Sequence, residues 1–175
     1  TFHVSSEAFM KRLKIISLLT LMLAVCACGS KEQAGWDAKE YGGAVAVQGK
    51  EIAVYRSETC GCCKSWIAHL EKHGFVIKDH VEKDMNAIKA RYGVPREMAS
   101  CHTAVVDGYV IEGHVPAQDI VALLEKKPSL QGLSVPAMPV GTPGMEDAAT
   151  GRKDPFSVMS FSKEGPSVYR RYETY

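Results

Sequence analysis

Residues 51–66 read EIAVYRSETCGCCKSW and place three thiols, Cys60, Cys62 and Cys63, between two segments of different periodicity. The short apolar run at residues 51–56 predicts a buried β-strand. Apolar residues then recur at helical spacing from Cys63 to Leu70, which predicts an α-helix that begins at the thiols. Three soft ligands at the start of a helix indicate a thiolate metal site if a fourth thiol reaches them.

The rest of the chain predicts further strands and helices in alternation. From periodicity and end signals we expect a strand at residues 75–77, a helix at 85–92 capped by Asp84, strands at 103–106 and 109–111 around the turn Asp107-Gly108, and a helix at 116–124. This β-α-β-α-β-β-α order predicts an α/β protein with a thioredoxin-like mixed sheet flanked by helices. Residues 133–146 are expected to form a Pro/Gly/Met loop, and residues 156–172 a C-terminal β-hairpin.

This topology brings five potential ligands to one end of the sheet. The first strand ends there at Cys60, Cys62 and Cys63, the third strand starts there just after Cys101, and the fourth strand finishes there just before His114. The helix N-terminus favours anions, so the thiols are expected to ionise readily. Several thiolates repel one another and need cations, and several Cu(I) ions bridged by shared sulfurs neutralise them more completely than one zinc.

Other side chains near these ligands have competing interpretations. We include His114 among the metal ligands, although a helix-capping role is the alternative. His102 is expected to have a structural or supporting role, because successive side chains of an extended chain point apart. His69 lies off the apolar face of its helix and is expected to be exposed. Met138 and Met145 are either gap-filling residues of the loop or a soft lip for the metal.

The N-terminal segment predicts an exported protein, and the net charge bears on its partners. A net charge of +1 over 175 residues gives no electrostatic basis for a nucleic-acid partner. We interpret residues 1–9 as an upstream extension, residues 10–27 as a lipoprotein signal peptide, residues 28–49 as a tether and residues 50–175 as the metal-binding domain. Cys28, preceded by Ala27, is the expected lipid anchor. Gly29 gives no inner-membrane retention signal, so we expect the periplasmic side of the outer membrane.

Four segments, at residues 54–66, 94–109, 112–116 and 135–146, resemble those of the small periplasmic copper-resistance proteins of the CopG type. The resemblance implies a thioredoxin-like fold that holds a cysteine-bridged cluster of copper ions with a redox role. The matched cysteines are Cys60, Cys62, Cys63 and Cys101. The predicted lipid anchor departs from a freely diffusing periplasmic protein, which argues against a shuttle.

The residues and the resemblance together predict a copper-resistance protein that binds several Cu(I) ions through bridging thiolates and cycles copper between oxidation states. Its partners would be copper ions, the membrane through the lipid anchor, and other copper-resistance proteins. An enzyme alternative is a periplasmic thiol–disulfide oxidoreductase using Cys60 and Cys63. An iron–sulfur electron carrier and a zinc-stapled domain are also compatible with four thiols, and two structural disulfides are the remaining interpretation.

Overall fold

The predicted strand-to-helix junction is present in the computed structural model, which describes residues 47–175. Strand β1 covers Glu51–Arg56 and helix α1 covers Gly61–Lys72. Ile52 and Val54 of β1 are fully buried, whereas Ala53 and Tyr55 on the other face are only half-buried, so one face of the strand faces the core. Since α1 begins at Gly61, Cys62 and Cys63 lie in its first turn.

The other predicted elements follow in the expected order, with a 3₁₀ turn and one short strand in addition. They are β2 (Val76–Val81), α2 (Met85–Arg91), a 3₁₀ turn (Arg96–Met98), β3 (Thr103–Val106), β4 (Tyr109–Glu112), α3 (Ala117–Lys126), β5 (Gly132–Ser134), β6 (Phe156–Ser162) and β7 (Gly165–Tyr172). Asp84 caps α2 by accepting hydrogen bonds from the N–H groups of Asn86 and Ala87, as predicted. Asp107 and Gly108 both have positive φ angles, which is the backbone that a two-residue hairpin turn requires.

The strands of residues 47–175 form one mixed sheet in the order β2-β1-β3-β4-β5-β6-β7. β1 pairs in parallel with β2 and antiparallel with β3, and β4 runs antiparallel to β3. This confirms the thioredoxin-like mixed sheet. The short strand β5 was not predicted. It pairs in parallel with β4 and antiparallel with β6, and so joins the predicted C-terminal hairpin to the same sheet.

Helices α1 and α3 contribute to the larger of the two hydrophobic clusters in residues 47–175. Trp66 and Leu70 of α1 and Ile120 and Leu123 of α3 are fully buried in it. The indole N–H of Trp66 donates to the carbonyl of Val115, just before α3, at 2.9 Å. In residues 47–175, the structure contains no helix with the length and apolar character that a bilayer crossing needs.

The predicted leader lies outside the described residues. This applies to the extension at residues 1–9, the signal peptide at 10–27, the lipid anchor Cys28 and most of the tether at 28–49. Of the tether, Val47 is buried in the core and the N–H of Gly49 donates to the carbonyl of Gly74 at 2.9 Å. The folded part therefore includes residues from at least Val47 onward.

Candidate metal centre

Four cysteine sulfurs meet at one end of the sheet. The Sγ atoms of Cys60, Cys62, Cys63 and Cys101 all lie within 4.8 Å of one another. Cys60 is the N-cap residue of α1, and Cys62 and Cys63 follow in its first turn. Cys101 lies two residues before the start of β3. Because β3 runs antiparallel to β1, its start lies beside the end of β1. The fold therefore produces the convergence that the topology predicts.

The cysteines are in two different chemical states. Cys60 and Cys63 form a disulfide with their Cα atoms 5.3 Å apart, whereas Cys62 and Cys101 are free thiols. This is the arrangement expected for a C-x-x-C redox pair with two spare thiols. Four thiolates become available to a metal only after the disulfide has been reduced.

His114 points a ring nitrogen at Cys101. Its Nε2 atom lies 3.1 Å from the Sγ atom of Cys101, and its Nδ1 donates to the carbonyl oxygen of Pro143 at 2.7 Å. Because Nδ1 carries the proton, the lone pair of Nε2 faces the sulfur, which is the orientation of a ligand imidazole. Burial lowers the pKa of His114 from its ordinary value, so the ring is neutral at pH 7.

His102 lies closer to Cys101 than the sequence suggests. Its Nδ1 atom is 3.2 Å from the Sγ atom of Cys101, and its buried ring packs on Trp66 with centroids 4.3 Å apart. The alternation rule does not apply here, because β3 begins only at Thr103 and the chain bends at Cys101. Burial lowers the pKa of His102 well below its ordinary value.

Cys101 does not meet the expectation of ready ionisation. Burial, and after it the neighbouring thiol of Cys62, raises the pKa of Cys101 to about 12. The helix dipole favours a thiolate in the first turn of α1. Cys101 lies outside that turn, in the loop before β3. A cation at this position would stabilise the thiolate and release the thiol proton to solvent.

Comparisons with known proteins identify similar solved structures. The chain is similar to two solved structures of the copper resistance protein CopG, form 1 and form 2, each at 50% sequence identity. The match to form 1 covers 72% of this chain and 99% of that chain with a TM-score of 0.67. For form 2 the shares are 71% and 99% and the TM-score is 0.66.

The chain belongs to the CopG family of copper-resistance proteins. A family profile described as a protein of unknown function, DUF411, matches residues 98–145. That segment contains Cys101, His102 and His114 but not the three cysteines of α1. Among curated proteins, none matches this chain.

The Pro/Gly/Met loop of this CopG family member covers the start of α1. Gly144 has a φ of +84°, and a Cβ atom there would lie 2.6 Å from the backbone nitrogen of Trp66 and 3.0 Å from the carbonyl oxygen of Cys62. The loop is also tied to the Cys101 segment, because the hydroxyl of Ser100 donates to the carbonyl of Ala137 at 2.6 Å. Met138 follows that link and is 51% exposed.

The sequence interpretation missed Glu112, which forms hydrogen bonds to the residues that flank Cys101 and His102. Its carboxylate is fully buried and accepts from the N–H of Ser100 at 2.6 Å, the hydroxyl of Thr103 at 2.7 Å and the ammonium of Lys89 at 2.5 Å. Two of these bonds, one to the backbone of Ser100 and one to the side chain of Thr103, hold the residues on either side of Cys101 and His102. A charged residue at the end of an apolar strand was the available signal.

The expectation that His69 is exposed was wrong. The side chain is 8% exposed, and its Nε2 accepts a hydrogen bond from the N–H of Ala117 at 3.1 Å. Ala117 is the first residue of α3, so His69 satisfies one of the amides that a helix start leaves unpaired. Burial lowers the pKa of His69 to about 3.

Proposed function

We propose that the protein binds several Cu(I) ions through bridging thiolates of Cys60, Cys62, Cys63 and Cys101, with His114 as a nitrogen ligand. In this proposal it also changes the oxidation state of copper, as part of a copper-resistance system. The observation that carries the proposal is the convergence of four sulfurs within 4.8 Å of one another. The solved relatives are named as copper-resistance proteins, which supports copper as the metal.

The donor chemistry supports copper in its reduced state. Thiolate sulfur is a soft ligand that selects Cu(I) or zinc, and imidazole nitrogen suits both metals. Four thiolates carry four negative charges, and several monovalent ions that share sulfurs neutralise this charge in a small volume. Cys62 and Cys63 are adjacent in the chain, so bridging allows their sulfurs to serve different ions. Copper here is the cargo or substrate of the site.

We also propose that the protein is a lipoprotein on the periplasmic side of the outer membrane, anchored through Cys28. The basic and apolar segments before Ala27-Cys28 support this location. In this arrangement the protein would receive copper from other copper-resistance proteins at the membrane rather than carry it through the periplasm.

The second candidate function is thiol–disulfide exchange by Cys60 and Cys63. The disulfide between these residues at the start of α1 favours it. In this mechanism a thiolate at Cys60 would attack a substrate disulfide, form a mixed disulfide with one substrate sulfur and release the other as a thiol. The thiolate of Cys63 would then attack Cys60, release the second substrate thiol and form the disulfide found here. Cys62 and Cys101 have no part in that reaction.

An anaerobic titration of the fully reduced protein with Cu(I) tests the first function. We expect saturation above one copper per chain, with absorption from copper–thiolate bonds. The matched measurement is turnover of a disulfide substrate by the copper-free protein, which the second function requires. Saturation by one zinc ion together with failure to bind Cu(I) would rule out the copper cluster.

A further inference from the structure

We propose that Cys101, His102 and His114 form a second donor set, which takes one Cu(II) ion while Cys60 and Cys63 are joined as a disulfide. The inference rests on the proposed function for the identity of the metal. Its three donor atoms, one sulfur and two imidazole nitrogens, lie within 4.8 Å of one another. The set shares Cys101 with the four-cysteine site but needs none of the three cysteines of α1.

The donor distances are close to those of a bound metal. Cys101 Sγ lies 3.1 Å from His114 Nε2 and 3.2 Å from His102 Nδ1. Metal–sulfur and metal–nitrogen bonds of ordinary length at trigonal or tetrahedral angles place sulfur and nitrogen about 3.5–3.8 Å apart. Each nitrogen therefore needs to move away from the sulfur by only about 0.3–0.7 Å to reach that separation. Cys101 is half-buried and both histidines are buried, so an ion would enter past the sulfur.

The two histidines differ in how well they are prepared for a metal. The carbonyl of Pro143 fixes the proton of His114 on Nδ1, which leaves Nε2 free to bind. His102 can offer Nδ1 only with its proton on Nε2, and within residues 47–175 the Nε2 atom of His102 has no hydrogen-bond partner. Since an unpaired buried N–H is unfavourable, we expect His114 to contribute more to affinity than His102.

The state of the disulfide determines which donor set is complete. With Cys60 and Cys63 reduced, four soft thiolates are available and favour Cu(I). With Cys60 and Cys63 joined, their sulfurs are no longer thiolates, and Cys101 remains beside the imidazoles of His102 and His114. A site of two histidines and one cysteine suits Cu(II) better than four thiolates do. The protein would thus hold each oxidation state of copper with a different set of side chains.

The test is an anaerobic titration of the disulfide form with Cu(II), and in parallel with Co(II), which does not oxidise thiols. We expect one ion per chain, a thiolate-to-metal charge-transfer band, and nitrogen couplings in the electron paramagnetic resonance spectrum of the Cu(II) protein. His114→Gln should weaken Cu(II) binding at least tenfold and His102→Phe by less. The exposed histidine variant His80→Gln is the matched control and should bind as the wild type does.

A Cys60→Ser/Cys63→Ser double variant separates this inference from the proposed function. It should lose most of its Cu(I) capacity and still bind one Cu(II) ion. Absence of nitrogen couplings and of the charge-transfer band in the wild type would overturn the second donor set, whether or not the histidine variants fold. Unchanged Cu(II) affinity in both histidine variants would do the same. Failure of the reduced wild type to bind Cu(I) would instead contradict the proposed function and would leave the second donor set to be judged by the Cu(II) and Co(II) spectra.

Discussion

Replacing Glu112 by glutamine removes one charge from the buried pair that supports the Cys101 segment. The side chain keeps its shape, and the glutamine amide can still form hydrogen bonds to Ser100 and Thr103. Lys89, whose side chain is only 13% exposed, loses its ionic partner. Breaking a buried pair by removing one partner costs about 3–5 kcal/mol of the free energy of unfolding, and we expect about 3 because Lys89 keeps some contact with water. A domain with the usual 5–15 kcal/mol of stability remains folded after this loss.

The measurement is a double-mutant cycle by urea denaturation at pH 7 with the disulfide intact. Lys89→Met alone should also cost about 3 kcal/mol, and Glu112→Gln/Lys89→Met together far less than the sum, with a coupling of at least about 2 kcal/mol. The exposed pair Glu51–Lys78, with its charged atoms 3.6 Å apart, is the control and should show less than about 1 kcal/mol. Additive effects at Glu112 and Lys89 would refute the role assigned to this pair.

Three further changes have defined outcomes. Gly144→Ala should destabilise the protein by more than Gly151→Ala in urea denaturation. Both positions have positive φ angles, but only a Cβ atom at residue 144 meets the backbone of Trp66. Equal losses of stability would contradict the close approach of the loop to α1. The pKa of His69 is about 3 in the folded protein and 6.5 in the unfolded chain. Its contribution to the free energy of unfolding is therefore complete above pH 6.5 and falls by about 1.4 kcal/mol per pH unit between pH 6.5 and about 3. His69→Gln should remove that part of the acid sensitivity, and an unchanged pH profile of stability would be evidence against it. Labelled fatty acid should enter the wild type but not Cys28→Ala, and equal uptake would exclude the predicted anchor.

The convergence of the cysteines was predictable because it depends on topology. The periodicity of residues 51–124 predicts the order of the elements, and that order predicts the thioredoxin-like sheet. The strand directions of this sheet fix which chain ends share one end of it. The apposition of Cys101 to Cys60 required no knowledge of side-chain packing. The same reasoning placed His114 beside them, now seen at 3.1 Å from Cys101.

The features that the sequence did not reveal depend on packing between distant segments. Strand β5 has only three residues, too few for a periodic pattern, and it forms because β4 and β6 flank it. His69 appeared exposed on its own helix and is buried because the start of α3 lies over it. The support of Cys101 by Glu112 depends on a hydrogen bond across twelve residues of chain, which no local pattern signals.

Copper binding by Cys62→Ser tests the central claim most directly. Cys62 lies outside the Cys60–Cys63 disulfide and has no role in dithiol exchange, whereas a bridged cluster loses bonds to two metals when this one sulfur is removed. Copper bound per chain should be measured on the reduced variant and the reduced wild type, with stability in urea as the check on folding. The account predicts that a folded Cys62→Ser protein loses most of its Cu(I) capacity. Wild-type copper stoichiometry in that variant would contradict the bridged cluster, and vigorous reduction of a disulfide substrate by both proteins would then favour disulfide exchange as the function of the site.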